Sequence, residues 1–150
     1  MQRIAGRRDF PVSIVIADIN GLKQINDSCG HEEGDRAICR AAELIMTAFR
    51  VGDVIARIGG DEFAVLLPKT NEETAHAVKQ RIRSSCINEN GNRVCAYSHS
   101  LSLGAATAHA MNELEATLKE ADARIYQDKK AIKRHLSPLT PFESNGIAGM

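Results

Sequence analysis

The apolar positions change period along the chain, and each change marks an element. Val12-Ser13-Ile14-Val15-Ile16-Ala17 is a nearly unbroken apolar run and reads as a buried strand, ending at Asp18, Ile19 and Asn20 before Gly21 starts a loop. From Glu33 to Phe49 the period becomes helical, with Ala37, Ile38, Ala41, Ile45, Ala48 and Phe49 recurring on one face. Val54 to Ile58 and Phe63 to Leu67 have strand length and strand residues, and Gly59 and Gly60 between them can take the positive φ of a tight hairpin turn. Thr70-Asn71-Glu72-Glu73 has the form of a capping box and opens a helix to about Ile87, with Ala75, Val78 and Ile82 inward. Asn88 to Arg93 is polar and turn-rich, and Val94 to Ala108 reads as one or two strands. Asn112 can cap a last helix whose core face carries Leu114, Leu118, Ala121, Ile125 and Tyr126. Beyond His135, Ser137, Pro138, Pro141, Gly146 and Gly149 break any period, which predicts a mobile tail over 136–150. The whole is an α+β pattern without repeats: a mostly antiparallel central sheet flanked by helices.

Composition narrows the function without naming it. The 150 residues suit one domain, and 19 basic against 19 acidic side chains give a formal charge of zero, no sign of attraction to nucleic acid or to a membrane surface. No window approaches the roughly 20 apolar residues of a membrane span, and the start lacks a signal-peptide core. Cys29, Cys39, Cys86 and Cys95 show no CxxC spacing, so reduced thiols in a cytoplasmic domain are expected. His31 belongs to a Gly30-His31 turn, and His76, His99, His109 and His135 form no metal-spaced set. Local charge must carry the chemistry.

That charge gathers at two places. The hairpin lifts Asp61 and Glu62 beside its turn, pointing to opposite faces because adjacent strand residues alternate. The first strand delivers Asp18 to an edge, and if the strand and the hairpin are sheet neighbours, Asp18 and Asp61 converge with the Ile19 carbonyl as a further oxygen. Two carboxylates plus phosphate oxygens suit Mg²⁺, a hard cation. After them, Gly21 frees the backbone to approach an anion, Lys23 offers a point charge for phosphate, and Asn26 and Asp35 can read a purine edge. Each of these residues taken singly also fits an ordinary cap or surface turn.

Taken together, Asp18-Ile-Asn-Gly-Leu-Lys-Gln-Ile-Asn26-Asp27, then Gly30-His31, Gly34-Asp35 and Arg57-Ile-Gly-Gly-Asp-Glu-Phe63, resemble the GGDEF family of diguanylate cyclases. The resemblance runs from about Phe10 to about Arg134 and includes the Ser102-Leu-Gly104 strand and the helix from Ala121-Asp122 to Lys129. It implies a ferredoxin-like palm, similar to nucleotide cyclases, over 1–135, and the condensation of two GTP molecules into cyclic di-GMP with release of two pyrophosphates. By the same resemblance Asp18, the Ile19 carbonyl and Asp61 bind Mg²⁺, with Mn²⁺ as an alternative. Asp61 is the candidate base for the GTP 3′-hydroxyl, and Glu62 is a further candidate for both roles. Asn26 and Asp35 hydrogen-bond guanine, while the Gly21 and Leu22 amides, Lys23 and Lys129 hold the triphosphate. Each domain holds one GTP, so two domains must face each other, and a homodimer is implied. Arg50-Val-Gly-Asp53 matches the family's RxxD site for its own product, although a basic residue before a glycine is also an ordinary helix stop.

Three departures bear on the resemblance. Asn20 stands where many members carry a second Asp. Lys133 replaces an arginine expected to clamp phosphate; it keeps the charge but loses the fork. Only Arg7-Arg8-Asp9-Phe10 precedes the first strand, where the family has Asp-x-Leu-Thr and an Asn-Arg pair, which predicts a longer parent protein with a fused sensor or receiver domain. The rival expectation is a non-catalytic domain that binds GTP or cyclic di-GMP and passes a signal on.

Overall fold

The computed structural model describes residues 7–92 and 100–136, with side chains over 8–89 and 100–132. The expected tail beyond Leu136, Arg93 and the start of the strand expected from Val94, Cys95, His99, and the side chains of Lys133 and His135 lie outside the described residues. In chain order the elements are β1 (Val12–Ile19), α1 (Leu22–Cys29), α2 (His31–Met46), β2 (Val54–Arg57), β3 (Glu62–Leu67), α3 (Glu72–Asn92), β4 (Leu101–Ala108) and α4 (Leu114–Leu136), with 3-10 turns at Arg7–Asp9 and Met111–Glu113. The four strands form one antiparallel sheet in the order β2-β3-β1-β4, the α+β architecture expected.

β1 is central and buried along its whole length, because helices cover both faces of the sheet. On one face Val15, Ala17, Phe63, Val65 and Leu103 pack against Ala41, Leu44 and Ile45 of α2 and Val78 and Ile82 of α3. On the other, Ile14, Ile16 and Ala106 meet Ala121 and Ile125 of α4. Each large aliphatic side chain removed from water in this way contributes about 1.5–3 kcal/mol. Gly104 lets α4 lie on β4: a Cβ there would run into the helix backbone at the Ala121 carbonyl and the Ile125 nitrogen.

Several expectations need correction, some because a tertiary contact overrides the local pattern and some because a neighbouring residue supplies the cap or closes the turn instead. The loop expected after Gly21 is a helix: Gly21 takes φ 73° and α1 follows, with Ile25 buried and α2 alongside. Two apolar residues in eight show too little period to reveal it. α3 runs through the turn-rich stretch to Asn92, where Glu89 accepts two short hydrogen bonds from Arg40 of α2, both 2.6 Å, and ties down the last turns. α3 is capped by Asn71, whose Oδ1 accepts the Thr74 N–H at 2.9 Å, while the Thr70 hydroxyl donates to the Pro68 carbonyl. Asn112 lies inside the 3-10 turn before α4 and caps nothing there. Leu118 and Tyr126 are exposed, Tyr126 lying under the Lys130 ammonium. At the hairpin neither Gly59 nor Gly60 takes a positive φ. The last ladder pair is Arg57 with Phe63, and the Arg57 guanidinium donates to the Gly59 and Gly60 carbonyls at 3.1 and 2.8 Å, closing a wider turn than two residues would.

Candidate functional site

The register of β1 against β3 places the acids. Asp18 is the direct cross-strand partner of Glu62, and the next ladder step is an Ile19 N–H to Asp61 carbonyl bond of 2.8 Å. The hairpin tip is therefore pinned to the end of β1, which sets Asp61 beside the strand end that carries Asp18. Asp18 is almost fully buried, so its two oxygens need partners. Oδ2 accepts from the Lys129 ammonium of α4 at 2.5 Å; Oδ1 is buried without a hydrogen-bond partner.

The electrostatics follow from that packing. Burial pushes the Asp18 carboxyl above its ordinary value, and nearby Asp61 adds to the shift, while the Lys129 bond opposes it. Glu62 is raised for the same first reason, then by the negative charges of Asp122, Asp18 and Asp61. Lys129 is raised chiefly by its bond to Asp18. A partly buried cluster of carboxylates around one ammonium is short of positive charge.

A divalent cation fits this deficit. The unpartnered Asp18 Oδ1 needs a donor or an ion, and Asp61 and the Ile19 carbonyl sit at the same strand end as hard oxygen donors. Among the described residues no group of three His, Cys, Asp or Glu side chains is disposed to hold a metal, so an ion here would take at most two carboxylates from the chain, the remaining positions going to carbonyl, water or ligand oxygens.

Beside the acids the chain places groups whose chemistry suits an anion. Gly21 turns the chain into α1, whose first-turn amides have no intrahelical acceptors, and no acidic side chain occupies that turn. Lys23 extends from it into solvent. The Asn26 amide rests directly on Gly34 of α2, where a Cβ would collide with it, and Asp35 is the next residue of α2, exposed. The α1–α2 contact thus brings the Asn26 and Asp35 positions together. Asn20, which no local pattern singles out as an anchor, is held at the start of β4 by three bonds: its N–H to the carbonyl of Ser100, the residue before β4, its Nδ2 to the Ser100 hydroxyl, and its Oδ1 from the Ser102 hydroxyl, each 2.9 Å. It fixes the β1–α1 turn, and only the register of β4 reveals it.

A family model described as diguanylate cyclase, GGDEF domain, matches residues 1–135. The chain belongs to the GGDEF family. Among curated proteins it is similar to the diguanylate cyclase DgcM of Escherichia coli K12, 31% identical over 129 residues, 86% of this chain and 30% of DgcM. The GGDEF domain thus spans less than a third of that relative's length. Among solved structures it is similar to an EAL/GGDEF domain protein of M. capsulatus, at 34% identity and a TM-score of 0.71 over 87% of this chain and 86% of that one. The GGDEF domain of DgcB from Caulobacter crescentus, solved in complex with c-di-GMP, has 25% identity and a TM-score of 0.72 over 80% of this chain and 72% of that one.

The RxxD pair of this GGDEF domain is engaged internally. One Arg50 nitrogen donates to the Pro68 carbonyl at 2.8 Å, to the Lys69 carbonyl at 3.3 Å and to the Thr70 hydroxyl. Asp53 turns back to accept the Arg50 N–H at 3.0 Å, and its other oxygen, buried without a hydrogen bond, lies 3.7 Å from the Arg50 guanidinium as an ion pair. About half of the Arg50 side chain remains exposed, at 51%.

Proposed function

We propose that this GGDEF domain is a diguanylate cyclase, which joins two GTP molecules into cyclic di-GMP and releases two pyrophosphates. The observation that carries the reading is the buried, unpartnered Oδ1 of Asp18, held beside Asp61 and Glu62 and one turn of chain from the open amides of α1.

Asp18, the Ile19 carbonyl and Asp61 would hold Mg²⁺ or Mn²⁺, with Glu62 close enough to add its charge. When bound, the ion neutralises phosphate charge and makes the 3′-hydroxyl easier to deprotonate. The Gly21 and Leu22 amides, Lys23, Lys129 and Lys133 hold the triphosphate, and Asn26 and Asp35 accept and donate along the guanine edge. In the step itself the 3′-oxygen of one GTP forms a bond to the α-phosphorus of the other. The bond from that phosphorus to pyrophosphate breaks, and Asp61 takes the hydroxyl proton. A second such step closes the ring. Each domain presents one nucleotide, so the reaction belongs to a homodimer, and a fused sensor or receiver domain that brings two copies together is its natural control in the cytoplasm. Arg50 and Asp53 form a product site that slows the enzyme.

The replacement of an arginine by Lys133 favours a second reading, a domain that binds nucleotide without turning it over. The domain fused to a dimeric coiled coil, incubated with GTP and Mg²⁺, separates the two. Cyclic di-GMP formation that is lost in Asp61→Ala supports the cyclase; GTP binding without product supports the second reading.

A further inference from the structure

Asp128 and Lys129 are adjacent on α4 but, being about 100° apart around a helix, face different neighbours. Lys129 meets Asp18 at the site. Asp128 meets the free edge of the sheet: its Oδ2 accepts the Leu103 N–H of β4 at 2.7 Å, and its Oδ1 accepts from Arg83 of α3 at 2.5 Å. One turn earlier on the same face, Arg124 donates to the Ala105 carbonyl of β4 at 2.5 Å. Residues four apart on α4 thus bond to the edge strand on either side of Gly104, the point where helix and strand backbones touch. Two hydrogen bonds about one backbone contact fix both the rotation of α4 and its position along β4. Ser102, beside Leu103, is the cross-strand partner of Asp18, so the fixed turn of α4 lies against the end of β1 that carries the acids.

We infer that Asp128 is a positioning residue for the triphosphate site: by locking α4 onto the edge of β4, with Arg83 as its brace, it sets Lys129 within reach of Asp18 and of a phosphate bound beside it. A charged carboxylate suits the task, since it accepts from a backbone donor and a guanidinium at once. The inference rests on the reading of the site as a GTP site, but its first test does not.

Crystal structures of the wild type, Asp128→Ala and Asp128→Asn give that test. The Lys129 to Asp18 contact is expected to be lost in Asp128→Ala and kept in Asp128→Asn, which retains an acceptor for Leu103. An intact contact in Asp128→Ala overturns the inference. The second test is GTP affinity with Mg²⁺ in Asp128→Ala, Lys129→Ala and the double variant, with thermal melting to verify folding. Each single change is expected to weaken binding at least about tenfold, and the double variant no more than Lys129→Ala alone, since Asp128 acts through Lys129. Additive losses, or wild-type affinity in Asp128→Ala, overturn it. A wild type that binds no GTP sinks the reading of the site instead, and the crystallographic contact then decides the positioning role by itself.

Discussion

At the scale of single residues, the site trades stability for charge. Glu62 ionises above its unfolded value of 4.5 in the fold because burial and three carboxylates disfavour its anion. A raised carboxyl stabilises the fold fully below that unfolded value and loses the contribution as pH rises through the folded one. At neutral pH the metal-free protein therefore carries an unfavourable charge, and Glu62→Gln is expected to raise its melting temperature by roughly 1–4 °C. The gain should shrink as pH falls toward 4.5, and a gain that stays constant with pH would show that charge is not its cause. Added Mg²⁺ should raise the wild-type melting temperature by supplying a partner to Asp18 Oδ1, and a chelator should reverse it. Arg50 behaves differently from a free ligand arm. Because it bonds Pro68, Lys69 and Thr70, Arg50→Ala is expected to cost about 1 kcal/mol in urea unfolding besides weakening cyclic di-GMP binding. Unchanged stability would mean that those bonds contribute nothing in solution.

At the scale of elements, two glycines set the spacing between a helix and its support, Gly104 under α4 and Gly34 between α1 and α2. Gly34 leaves room for the Asn26 amide between α1 and α2, so Gly34→Ala must push Asn26 aside. The expected result is a loss of discrimination between GTP and ATP of about tenfold, read from competition binding, with the fold retained. Discrimination that survives would remove Asn26 from the guanine edge. These contacts were partly legible beforehand. β1, the hairpin, α2 and the first part of α3 follow from apolar periods that are local properties of the chain. α1 was not legible, because its stability comes from α2 and its own eight residues show only Leu22 and Ile25 to the core. The last turns of α3 were hidden for a similar reason: Arg40 holds Glu89 from another helix.

At the scale of the whole molecule, the proposed cyclase reaction calls for two copies of this domain. Asp18, Asp61, Glu62 and the amides of α1 lie together at one end of the sheet. An attacking 3′-oxygen and an α-phosphorus on separate nucleotides require a second copy opposite that end. The initial rate of cyclic di-GMP formation by the isolated domain is therefore expected to rise with the square of protein concentration. Strict proportionality would show that one domain suffices.

Local sequence determined β1, the hairpin strands, α2 and the first part of α3, that an acid pair sits on that hairpin, and that Asp18 ends a buried strand, since residue spacing alone carries the periods of two and 3.6. Tertiary structure alone decided that Glu62 faces Asp18, that Asn20 is bound to β4, and that Arg124 and Asp128 fasten α4 to the sheet edge. Those facts depend on register and on contacts between segments far apart in the chain. A pattern read along one segment contains neither.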